Sequence, residues 1–112
     1  MSSIWSLEKD LRIRHLLLLL QSQLGETAFT LDTETPCHHR AIYINHRHEP
    51  GVRAYLYTLG QQADRYGVHL EFPSTYNTSQ YDIHENLQLG ALVDILAVHL
   101  DVATIHPLPD QH

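Results

Sequence analysis

The sequence predicts a small α+β domain, ordered α-β-β-α-β-α, with a mixed sheet of three or four strands covered by helices. Three observations carry this. Residues 7–24 are rich in leucine at helical spacing. Residues 41–72 read as an apolar strand, an amphipathic helix and an alternating strand. Residues 83–101 form a second long apolar run at helical spacing. A chain of 112 residues suits one domain spanning 1–112, with 103–112 as a flexible tail.

The first helix is expected from Leu7 to Leu24, with Ser6 as N-cap and Gly25 as the stop. Ile13, Leu16, Leu17, Leu20 and Leu24 then share one face. A strand near 27–32 and a second near 40–45 follow, expected as an antiparallel hairpin with a long loop. Pro50 is a favoured first helical position, and Val52, Leu56, Leu59 and Ala63 fall on one face of a second helix that Gly67 closes. Val68, Leu70 and Phe72 alternate with His69 and Glu71, as in a strand with one wet face. The strand–helix–strand reading implies a right-handed crossover between parallel strands.

The last helix is expected from Ile83 to Asp101, with Asp82 as N-cap. Its apolar residues split into two stripes. Ile83, Leu87, Ala91, Ile95 and Val98 make one; Leu89, Leu92, Val93, Leu96 and Leu100 make the other. One stripe covers a sheet, and two imply a sandwiched helix. Leu89, Leu92, Leu96 and Leu100 are therefore candidate residues for a homodimer or partner interface, unless the first helix covers them. Tyr57, Tyr76 and Tyr81 join them as candidate contacts, because tyrosine offers large contact area at low entropic cost.

Composition narrows the function classes. Apolar residues make up 43% and charged residues 18%, as in a globular chain. The formal charge is −6 and Lys9 is the single lysine. That balance argues against a general nucleic-acid binder and against docking on anionic lipid. The run Leu16–Leu20 is too short to span a bilayer and lacks the flanks of a signal peptide. One cysteine excludes an internal disulfide, and the cytoplasm is the expected location. Ten histidines predict a pH-sensitive stability or association.

The densest polar cluster is Cys37, His38 and His39 with His46 and His48. Thiolate and imidazole are zinc ligands, and pairing of the first two strands is expected to bring the two segments near each other at one end of the sheet, so a tetrahedral site is one reading. The spacing matches no common zinc pattern. A Cys37 nucleophile with a histidine base is a further reading, which makes a small Cys/His enzyme. No GxGxxG, P-loop, HExxH or GxSxG motif is present. The leading expectation is a non-enzymatic protein-binding or regulatory module, homodimeric and without cofactor. The alternative is a zinc-binding module.

Overall fold

A computed structural model of the chain describes residues 4–49, 51–73 and 82–108. These form two helices bracketing a five-stranded antiparallel sheet. A single 3-10 turn at Ile4–Ser6 precedes α1, Leu11–Leu24. The strands are β1 Phe29–Asp32, β2 Ala41–His46, β3 Arg53–Tyr57, β4 Tyr66–Glu71 and β5 Asp82–Leu87, and α2 is Leu89–His99. Each strand pairs with the next in sequence. The order is α-β-β-β-β-β-α, so the expected α-β-β-α-β-α order and mixed three- or four-stranded sheet are corrected.

The middle helix does not exist; its residues make β3, a turn and the start of β4. Val52 and Leu56 fit both a helical and an alternating pattern, and the backbone settles the matter. Gly51 has φ +87° and Asp64 has φ +59°, left-handed values that a continuing helix does not contain. Leu59 and Ala63, assigned to the buried face of that helix, are exposed in the turn. Ala54 and Leu56 alternate inward instead, against β2 on one side and β4 on the other. Among the described residues every strand pair is antiparallel, so the expected crossover is corrected as well.

The last predicted helix also divides. Its first residues pair with β4 as the edge strand β5, which leaves Ile83 53% exposed. Asn86 takes φ +53° beside a register shift, and the helix then starts after Gln88, which makes no side-chain cap. The double stripe is thus a strand joined to a helix with one buried face.

The first helix is close to its expected form. Asp10, rather than Ser6, caps it, with Oδ1 accepting from the Arg12 N–H at 2.9 Å. Gly25 closes it with φ +101°, and its N–H donates to the Gln21 carbonyl. Ile13, Leu16, Leu17, Leu20 and Leu24 are its buried residues.

One core lies between the helices and one face of the sheet. Ile42, Leu56 and Val68 stand abreast on that face, as do Ile44, Ala54 and Leu70. They share the core with the buried face of α1 and with Leu92, Val93, Leu96, Ala97 and Leu100 from the α2 end. Among the described residues no helix is long and apolar enough to cross a membrane. Of the tail, His106 ties back to α1: its N–H donates to the Gln23 carbonyl at 2.8 Å.

His99, buried at the end of α2, ties that helix to the sheet. Its Nε2 lies 2.7 Å from the Arg53 carbonyl oxygen, which only accepts, so Nε2 carries the proton. Burial pulls its pKa below the ordinary 6.5, against the smaller opposing effect of that hydrogen bond. The unfolded chain therefore takes up this proton more readily. The contribution of His99 to stability is full above pH 6.5 and is lost as the pH falls below it. Melting temperature should fall more steeply with acidification in the wild type than in His99→Gln, whose amide can still donate to Arg53. Equal slopes in thermal melts of the two proteins would refute this.

Candidate functional site

The sheet has a second face, where Tyr43, Tyr55 and His69 lie outside the hydrophobic core and Tyr57, 7% exposed, is buried beside them. Alternation puts it there: every second residue of β2, β3 and β4 points away from the helices. Tyr43, Tyr55 and His69 stand abreast across the three strands, and Tyr57 follows two residues along β3. Their rings form a continuous array. The centroids lie 4.8 Å apart for Tyr43 and Tyr55, 5.6 Å for Tyr55 and His69, and 5.2 Å for Tyr57 and His69. Tyr43, Tyr55 and His69 are half-buried, in contact with one another and open to solvent.

Arg53 anchors one end of the array. Its guanidinium carbon lies 4.1 Å from the centre of the Tyr43 ring. The same group donates to Asp32 Oδ2 at 2.6 Å and, through Nε, to Asn45 Oδ1 at 3.0 Å. Glu71 stands 3.8 Å away. Asp32 is held in place by a local turn. Its Oδ1 accepts from the N–H groups of Glu34 and Thr35, and its Oδ2 from the Thr35 hydroxyl at 2.6 Å. These bonds from Thr35, with smaller help from Arg53, hold its carboxyl down at about 2. The arginine is thus a fixed, paired cation under an aromatic ring.

Tyr57 anchors the other end. Its ring crosses Gly67 on β4, and its hydroxyl donates to Glu85 Oε2 on β5 at 2.8 Å. Burial, then Glu85, pushes its phenol well above 10. Burial also raises Tyr43 and Tyr55. All three are neutral hydrogen-bond donors at physiological pH. The face is flat, aromatic and rimmed by both signs of charge.

The expected site residues are distributed differently. Tyr57 lies on this face. Tyr76 and Tyr81 lie outside the described residues. Leu92, Leu96 and Leu100 are at most 3% exposed and packed into the chain's own core, with Leu89 partly buried beside them. The first helix and the sheet therefore cover the stripe within one chain.

Cys37 and His46 stand at opposite ends of β2. Five extended steps from Ala41 to His46 hold those ends about 17 Å apart, so the expected convergence fails for a simple reason: a strand separates the segments that flank it. Cys37 Sγ lies 3.2 Å from Lys9 Nζ and 3.5 Å from the Ala41 carbonyl oxygen. His38 and His39 stack on each other with centroids 4.3 Å apart, at the same end. At the far end, His46 Nδ1 accepts from the N–H groups of His48 and Glu49, and its Nε2 lies 3.0 Å from Asp101 Oδ2. The His48 ring is 6.3 Å from that of His46. Among the described residues no three histidine, cysteine or acidic side chains form a group able to hold a metal ion. The same separation keeps Cys37 from His46 as a nucleophile and base.

The helix expected over residues 53–57 hides the open face, because a helical period turns Tyr55 away from Arg53 and Tyr57. The signal was present: Arg53, Tyr55 and Tyr57 alternate with Ala54 and Leu56. Comparison with protein-family models, with curated proteins and with solved structures finds no match for this chain.

Proposed function

We propose that the chain is a non-enzymatic, cytoplasmic protein-binding module that pairs with a second copy of itself through the open face of its sheet. The observation that carries this is the array of Tyr43, Tyr55, His69 and Tyr57, which the helices leave uncovered. Tyrosine and arginine are the residues enriched at the energetic centres of interfaces. Arg53 lies among Asp32, Glu71 and Glu85 around the rings, so a two-fold contact can set the guanidinium of one copy against a carboxylate of the other. The free thiol of Cys37 suits the cytoplasm.

Size sets the expected strength. Five strands at their usual spacing and length offer about 450 Å² per copy, or about 900 Å² in all. That is below the range of stable specific interfaces and within that of weak, transient ones, so pairing is expected only at micromolar concentrations or above. Sedimentation equilibrium tests this. The wild type should move from monomer to dimer between low and high micromolar concentration. Tyr55→Glu should stay monomeric while keeping its fold by circular dichroism. A wild type that remains monomeric, or a dimer that survives Tyr55→Glu, overturns the reading.

A further inference from the structure

A second surface lies on the other side of the sheet, independent of the face just described. A groove of about 530 Å³ opens between α2 and the ends of β4 and β5. Leu70, Phe72, Ile95 and Val98 form its apolar walls, and Asp82 and Asp94 stand at its rim. Val98 is 81% exposed and Phe72 40%, unusual for large apolar side chains that share one depression. The Phe72 ring meets His99 edge-on, with centroids 5.1 Å apart. Neither Asp82 nor Asp94 has a side-chain hydrogen bond or ion pair among the described residues; His99 also lines the groove and feels the charge of Asp82, and no lysine or arginine lines it.

We infer that this groove docks a basic amphipathic segment of another protein, with apolar side chains against Phe72 and Val98 and a lysine or arginine reaching Asp82 and Asp94. Charge complementarity selects this occupant. The groove is apolar within, anionic at its rim, and part of a chain whose formal charge is −6. A second copy fits poorly, because a two-fold contact here sets acidic rim against acidic rim with no cation to answer it. An acidic or phosphate-bearing ligand is repelled by the same two carboxylates. The position of Asp82 and Asp94 gives the register: a cation is wanted beside, and not within, the apolar contact.

The test is fluorescence anisotropy with the full chain and three labelled synthetic peptides of one length. The first carries leucine and lysine in an amphipathic pattern. The second replaces lysine with glutamate, and the third replaces leucine with serine. The leucine–lysine peptide should bind at micromolar concentration, and each of the others should bind at least about tenfold more weakly. Asp94→Lys and Val98→Ser, both at exposed positions, should each weaken the first peptide by about tenfold. Tyr55→Glu should leave it unchanged, which separates this site from the sheet face. Equal binding of the serine–lysine peptide would reduce the effect to general attraction between opposite charges and overturn the inference. Full binding in Asp94→Lys or Val98→Ser would place the contact elsewhere, with the same result. No binding of any peptide, with a loss of melting temperature in Val98→Ser, would assign the groove to the chain's own residues 74–81 and also overturn it.

Discussion

Leu96→Ala is expected to cost about 2–5 kcal/mol of stability, and to cost the same at every protein concentration. Leu96 is 0% exposed, on the face of α2 that packs into the single core with α1 and the sheet. Truncation removes three buried carbons and leaves a cavity that two helices and a sheet cannot close without moving together. A domain of this size holds about 5–15 kcal/mol in all, so the loss takes a large share. Concentration independence is the discriminating part. A leucine shared with a second chain would stabilise by mass action, and its removal would show most where dimer predominates. Urea melts of wild type and variant, at low and high micromolar concentration, give the difference directly. The wild type should shift with concentration through its sheet face; the gap between the two proteins should not. Leu92→Ala should behave alike, and Leu89→Ala, only partly buried, should cost less. A gap that widens with concentration would return the stripe to an interface.

How much of this was legible follows from where each element's information lies. The first helix carries its own evidence: one stripe from Ile13 to Leu24, and a glycine where a left-handed residue must end it. The β3 region does not. Val52 and Leu56 satisfy two periods at once, and what favours the strand is a hydrogen-bonded neighbour on each side, β2 and β4, which no local window contains. The last helix fails at its start for a related reason. Only Asn86 hints at the break before Leu89: Gln88 makes no side-chain cap, and neither proline nor glycine stands between Leu87 and Leu89. Apolar residues of a strand and a helix then run together as if they shared one axis. The site shows the same division. That Tyr55 and Tyr57 share a face follows from alternation once the strand is known. That Tyr43, Tyr55 and His69 stand abreast follows only from register. The Cys37 and His46 segments illustrate the reverse error: close in sequence, they are held apart by the strand between them.

Gly67→Ala, a change of one methyl group, is expected to cost about 1–3 kcal/mol through overpacking. Gly67 lies in β4 directly opposite Tyr57 in β3, and the tyrosine ring lies flat across it. A Cβ at this position would run into the ring. The backbone angle is not the obstacle, since Gly67 is not among the residues with positive φ. The glycine is required because a side chain from the neighbouring strand occupies the space its own would take. The ring does useful work in that position. It covers a strand position that has no side chain of its own, and it carries the Tyr57 hydroxyl to Glu85 on the edge strand. Any Cβ at Gly67 must displace the ring and break that bond, loosening β5 from β4. Tyr57→Phe keeps the ring and loses only the hydroxyl, so it should cost less, below about 1.5 kcal/mol. The double variant decides the mechanism. If the penalty at Gly67 is collision with the ring, adding Tyr57→Ala should remove most of it, a coupling energy of about 1 kcal/mol or more in a cycle of denaturant melts. A penalty that persists in the Tyr57→Ala background would locate the cost in the strand itself, and the account of Tyr57 as a strap across three strands would fall.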